Sequence, residues 1–132
     1  DWQATPRTLL GVQAEGFPNL FMVLGPHTAR GNIPRNIEEL VDWVTGMIRF
    51  MREHGHTRAE PRPAAVDEWA GAVERASEKL LSSKIASWQT GVNQNVAGKQ
   101  VPRVLGYNGG AVRYRKKATA VAEGGYREFM FR

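Results

Sequence analysis

The sequence predicts an α/β fold, and three observations carry that expectation. The run Leu20-Phe21-Met22-Val23-Leu24 is apolar without alternation, the pattern of a strand buried on both faces. Downstream, Ile37, Leu40, Val41, Val44, Ile48 and Met51 recur at helical spacing, as one stripe of an amphipathic helix. Between them lies Gly25-Pro26, so the unit reads strand, glycine turn, helix, an arrangement that sets backbone N–H groups and a helix N-terminus beside a ligand.

The elements follow in order. Residues 1–16 read as loop and short extended pieces, broken at Thr5-Pro6 and Glu15-Gly16. The first helix has Pro34 in its first turn, Asn32 or Asn36 as its cap, and Gly55 as its stop. Glu60-Pro61-Arg62-Pro63 reads as a stiff connector. A second helix is expected over Ala64–Leu81, with Val66, Trp69, Val73 and Leu80 on one face. Ser82–Pro102 carries glycines and amides with little periodicity and reads as a long loop, a length typical of lids and binding loops. Val104-Leu105 suggests a short strand, Ala111–Glu123 a third helix stopped by Gly124-Gly125, and Tyr126–Phe131 a closing strand.

Composition narrows the function classes. The 132 residues carry a formal net charge of +5 and no cysteine, which excludes disulfides, thiol catalysis and cysteine-ligated zinc. No apolar run approaches the roughly 20 residues of a membrane span, and Asp1-Trp2-Gln3 lacks a leader pattern, so a cytoplasmic protein without membrane partners is expected. The charge is uneven: residues 1–98 hold 10 basic and 11 acidic side chains, whereas residues 99–132 hold 8 basic against Glu123 and Glu128. A basic end suits a solvated helix face. It also allows a second reading, a non-catalytic module binding an acidic or nucleic-acid partner. No aromatic RNA-binding motif accompanies the charges, which favours no nucleic-acid partner.

Few residues offer chemistry alone. His54-Gly55-His56 lacks a third metal ligand, so no metal site is expected, and His54 suits the helix C-terminus. His27 follows the turn and faces the ligand end of the unit. Trp88, off any helical stripe, fits either a plug into the core or a residue stacking on a flat ligand. Trp43 and Trp69 read as structural. No serine–histidine–acid set and no G-x-G-x-x-G turn is present.

Taken in order, these residues resemble a known family. Gly16-Phe17-Pro18-Asn19-Leu20-Phe21-Met22-Val23-Leu24-Gly25-Pro26-His27-Thr28, then Gly31-Asn32-Ile33-Pro34 and Ile37-Glu38, are similar to the carboxyl-terminal part of Baeyer–Villiger monooxygenases. The resemblance continues through Gly55-His56-Thr57-Arg58, Glu60-Pro61, Ser87-Trp88 with Thr90-Gly91-Val92-Asn93, Gly98-Lys99, Tyr107 with Gly109-Gly110, and Tyr114-Arg115. It ends at Gly125-Tyr126 and Phe129, so it spans nearly the whole chain.

The resemblance implies a doubly wound FAD-binding domain, of which this chain is the carboxyl-terminal piece, and an enzyme that uses FAD, NADPH and O2 to insert one oxygen atom beside a ketone carbonyl, giving an ester or lactone. Such cofactors carry the difficult chemistry while the protein positions them and excludes water. It implies four segments: residues 1–58 closing the FAD-binding domain, 59–81 a connector and helix, 82–102 an NADP-responsive loop, and 103–132 a terminal strand–helix–strand. Gly25, Pro26, Asn32 and Ile33 would border the flavin, Arg30 and Ile33 would approach the ketone, and Trp88 would reach the nicotinamide and substrate side. No catalytic residue is implied within the chain. The loop departs from the best-known members: Gly91 to Lys99 is longer, and Ala97 stands where proline is expected. The family's two dinucleotide-binding glycine motifs, its signature histidine motif and its catalytic arginine are absent from these residues. The expected partners are therefore the remainder of the FAD and NADP domains, and the chain alone is expected to be inactive.

Overall fold

The computed structural model describes residues 5–81 and 85–132, with the Trp88 side chain also outside the description. Its elements run α1 (Ile33–Glu53), β1 (Ala59–Pro61), α2 (Pro63–Ser77), a 3-10 turn (Trp88–Thr90), α3 (Ala111–Glu123) and β2 (Phe129–Phe131). The fold is thus a small α/β arrangement.

α1 starts where the sequence allows it to. Asn32 is the cap: its side-chain oxygen accepts from Arg35 N at 3.1 Å, and Pro34 occupies the first turn, where its missing N–H costs nothing. Asn36, the other candidate, is buried and donates to Ala29 O at 3.0 Å. Gly55, at φ 71°, supplies the left-handed residue that ends the helix.

The expected stripe on α1 is only half buried. Leu40 and Met51 are buried together with Met47, whereas Ile37, Val41 and Ile48 are exposed. At 3.6 residues per turn the apolar arc spans roughly 120°, and α3 covers one side of it. Trp43 anchors that contact by donating from Nε1 to Ala118 O at 2.8 Å.

α2 buries Val66, Trp69 and Val73 as expected but ends at Ser77, four residues before the predicted Leu81. Ser77 Oγ donates back to Val73 O at 3.0 Å and accepts from Asn108 at 2.9 Å, so the last turn closes on itself. Leu80 lies beyond it and is exposed.

Three strand expectations are corrected. Leu20–Leu24 is not a strand; Leu20 and Val23 are exposed, and positive φ at Asn19 (61°) and Leu24 (60°) breaks the extended run at both ends. Val104-Leu105 forms no strand either, although Leu105 O accepts from His27 N at 2.9 Å and Tyr107 forms a parallel bridge with Ala29. The stiff connector, by contrast, contains β1, which pairs antiparallel with β2 in the register Ala59↔Phe131, Glu60↔Met130, Pro61↔Phe129. The closing strand is shorter than expected because Tyr126 adopts φ 54° in the turn after α3.

One core joins these pieces: Leu9, Leu10 and Val12 from the first turn, Leu40 and Met47 from α1, Val66, Trp69 and Val73 from α2, Tyr114 and Val121 from α3, and Phe129 from β2. Tyr114 ties its ends together, donating to Leu10 O at 2.6 Å across 104 residues. Its burial raises the phenol pKa, so the hydroxyl remains a donor.

Candidate functional site

The turn between Gly25 and Thr28 is held by short-range bonds. Thr28 donates to Gly25 O from N at 3.2 Å and from Oγ1 at 2.9 Å, and Thr8 Oγ1 donates to Pro26 O at 2.8 Å. Leu24 and His27 on either side carry φ of 60° and 73°, conformations that only surrounding packing sustains in non-glycine residues. Gly25 lies against the first turn so closely that a methyl there would overlap the Gly11 carbonyl oxygen.

His27 is buried behind the turn. Its Nε2 lies 3.2 Å from Val104 O, and its Nδ1 has no partner among the described residues. Desolvation lowers its pKa, against smaller raising effects from the Val104 carbonyl and Glu74. The ring is therefore neutral at pH 7 with Nε2 as donor, a positioning bond and not a reacting group.

In front of the turn opens a cavity of about 590 Å³. Gly25, Pro26, Arg30 and Ile33 line it, together with Thr28, Asn36, Gln89 and Leu105. Four residues expected at a site thus meet at one place. Asn32 does not line it; it caps α1 at the cavity's edge. Trp88 belongs to the 3-10 turn, next to the lining residue Gln89, and its side chain lies outside the described residues. Gln89 and Leu105 were not singled out by sequence. The neighbouring Trp88 was the only signal for Gln89, and nothing local marks Leu105.

Arg30 couples the far segment to the turn. Its Nη2 donates to Gln89 O at 2.9 Å, and its backbone N donates to Tyr107 O at 3.3 Å. The long loop is anchored at its base by Arg103 N donating to Thr90 O at 2.7 Å. At the start of α1 the N–H groups of Gly31, Asn32 and Ile33 have no hydrogen-bond partner among the described residues, and all three residues are exposed. Those donors at a helix N-terminus match an electron-rich, carbonyl-bearing ligand edge, so the residues present fit the pyrimidine side of a flavin.

A second cavity, about 440 Å³, lies between α1 and α3 beside Trp43, Tyr114 and Tyr126. Several of its polar groups are engaged: Arg115 pairs with Glu39 at 3.4 Å, and Trp43 and Tyr114 bond backbone carbonyls. It holds none of the expected site residues. No group of three or more metal-ligating side chains occurs among the described residues. His54 Nδ1 donates to Phe50 O at 2.8 Å, and its ring stacks on that of Phe50 at the C-terminal cap of α1. No described helix is long and apolar enough to cross a membrane.

Comparison with known proteins decides the family. No family model matches the chain. A phenazine N-monooxygenase of Lysobacter antibioticus is 36% identical over 129 residues, covering 98% of this chain and 23% of that protein. A Baeyer–Villiger monooxygenase of Pseudooceanicola batsensis is 37% identical over 125 residues, 95% of this chain and 22% of that protein. The solved cyclohexanone monooxygenase of Rhodococcus sp. Phi1, bound to NADP+, superposes with a TM-score of 0.91 at 35% identity, over 99% of this chain and 24% of that one. This chain belongs to the Baeyer–Villiger monooxygenase family. It spans just under a quarter of the length of the relatives it matches. The matched solved enzymes include complexes with NADP+ and with FAD and NADP. The alternative of a basic binding module gains no support from these matches. Two of the basic side chains of α3 are also engaged internally, Arg115 with Glu39 on α1 and Lys117 with Glu68 on α2 at 3.2 Å.

Proposed function

We propose that this chain supplies one wall of the flavin and ketone site of a monooxygenase that inserts one oxygen atom of O2 beside a ketone carbonyl, forming an ester or lactone with NADPH as reductant. The observation that carries the reading is the convergence at one cavity of the Gly25-Pro26 turn and the start of α1 with the Gln89 turn, which lies more than 50 residues further along the sequence. FAD, when bound, supplies the redox and oxygen chemistry.

The chain's own residues hold and orient. Gly25 and Pro26 border the flavin ring, and the missing side chain at Gly25 lets the turn pack against Gly11 and Met22 behind it. Asn32 caps α1 so that its first N–H groups, with Ile33, meet the ring's pyrimidine edge, where they stabilise electron density. Arg30 and Ile33 flank the ketone. The 82–102 loop, carrying Trp88, closes over NADP and keeps water from the reacting atoms. In this reading residues 1–58 complete a doubly wound FAD-binding domain, 59–81 connect it onward, and 103–132 form the last packing unit.

The test is a mass balance on the intact enzyme carrying this segment. With NADPH, a cyclic ketone and ¹⁸O₂, one labelled oxygen per NADPH should appear in the lactone. NADPH oxidation that yields only peroxide, or N-oxidation of amines without any ester from ketones, would refute the reading.

A further inference from the structure

The cavity holds one charge. Among the described residues Arg30 is the only ionisable side chain in its lining; the other lining residues are neutral. Arg30 belongs to none of the ion pairs found among the described residues. Its neighbours at the cavity are glycines, aliphatic side chains and amides.

An exposed arginine usually moves freely and is answered by water. Arg30 is held in three ways. Its backbone N donates to Tyr107 O at 3.3 Å beside the parallel bridge of Ala29 with Tyr107. Its stem lies across Gly106, where an added methyl would sit 3.0 Å from Nε and 3.2 Å from Cγ. Its Nη2 donates to Gln89 O at 2.9 Å. A guanidinium has five N–H donors, and this single carbonyl bond is the only side-chain bond Arg30 makes among the described residues. A neutral carbonyl does not compensate the charge. When a ketone fills this largely neutral lining and water leaves, an unanswered cation becomes costly, and a planar anion is the partner that matches the fork.

Resting on the function proposed above, we infer that the substrate is a ketone that also carries a carboxylate, and that Arg30 binds that carboxylate at the cavity mouth. The phosphates of NADPH share the same anionic chemistry, so the test separates the two sources.

The experiment uses the intact enzyme carrying this segment, with a cyclic ketone bearing a carboxylate and its methyl ester as paired substrates. Wild type should favour the carboxylate in kcat/KM. The carboxylate-to-ester ratio should fall at least about tenfold in Arg30→Met, as expected for losing a charged hydrogen bond, and by less in Arg30→Lys. In Arg30→Glu the preference should invert toward a ketone bearing an ammonium group. If the variants lose flavin, competition on wild type decides: cyclohexanecarboxylate should inhibit at least about tenfold more strongly than cyclohexylmethanol, by the same charged-bond difference. A ratio unchanged across the variants overturns the inference, as does a rise in KM for NADPH alone or equal inhibition by the two competitors. Each of these leaves the monooxygenase reading standing. A wild-type enzyme that oxygenates neither ketone refutes that reading and the inference with it.

Discussion

Replacing Gly25 by alanine tests the close approach on which the cavity floor depends. A methyl at Gly25 would overlap the Gly11 carbonyl oxygen and lie 2.9 Å from Met22 Cβ and 3.0 Å from Met22 Sδ. Ordinary carbon contacts need about 3.5 Å or more, so the two backbones must part by roughly half an ångström to an ångström. Gly11 has no room to retreat: its N–H is bonded to Thr8 Oγ1 at 3.1 Å, and its open face lies against Thr28. The strain falls on the Gly25–Thr28 turn and on the two bonds from Thr28 to Gly25 O. Overpacking of this kind costs about 1–3 kcal/mol, and weakening one such bond adds about 1 kcal/mol, so Gly25→Ala should lose about 2–4 kcal/mol. Gly16→Ala is the control. Gly16 has φ 82° and nothing within 4 Å of an added methyl, so it carries only the left-handed cost of about 1–2 kcal/mol. The assay is denaturant unfolding of the intact enzyme followed by tryptophan fluorescence, with the ratio of flavin to protein absorbance measured alongside. Gly25→Ala should be the less stable variant and should lose flavin, because Pro26 moves with the turn. Equal stability of the two variants, with full flavin in both, would refute the packing argument.

Four further outcomes are expected. Tyr114→Phe should destabilise by about 1–3 kcal/mol in a denaturant melt, since it leaves the buried Leu10 carbonyl unpaired. His27, its pKa lowered by burial, contributes stability that is complete above its ordinary pKa near 6.5 and lost as pH falls through that value toward the lower folded one; His27→Gln should flatten that part of the stability–pH curve. Trp88→Ala should reduce NADPH-dependent turnover and product selectivity more than flavin content, and unchanged kinetics with full flavin would count against a lid role. The polypeptide of residues 1–132 by itself should neither oxidise NADPH nor bind FAD stoichiometrically in a spectroscopic titration, since it contains no G-x-G-x-x-G turn.

The bounds of α1 and α3 were legible because both carry punctuation as well as periodicity, whereas α2, with no glycine stop, reads four residues too long. Asn32 and Pro34 open α1 and Gly55 closes it; Gly110 and Gly124-Gly125 bracket α3. The strands were not. Five consecutive apolar residues fit a buried strand and an extended crossing equally well, and the positive φ at Leu24 that separates the two has no residue-type signature in a leucine. β1 and β2 span three residues each, too few for alternation to show, and Pro61 disguises β1 as a connector. The same contrast holds at the cavity. Gly25, Pro26, Arg30 and Ile33 follow one another within a single turn-to-helix unit, which local reasoning reaches. Gln89 and Leu105 arrive from the far side of a long loop through the Arg30 and His27 bonds, and no local pattern records such contacts.

The basic carboxyl-terminal third takes on a different meaning once its partners are placed. Arg115 and Lys117 reach Glu39 and Glu68, so α3 is clamped by charge to both α1 and α2 while Tyr114 and Val121 bury beneath it. These pairs are largely exposed, and exposed pairs contribute only about 0–1 kcal/mol each. They sit one and three residues along α3 from Tyr114, which donates to the Leu10 carbonyl. Leu10 adjoins Gly11, whose carbonyl Gly25 abuts. A chain of packed contacts therefore runs from the charged face of α3 through the first turn to the floor of the cavity. Two of the eight basic side chains of residues 99–132 thus tie α3 to α1 and α2, whereas Arg30, which has no acidic partner among the described residues, stands beside the cavity and comes from the charge-balanced front of the chain.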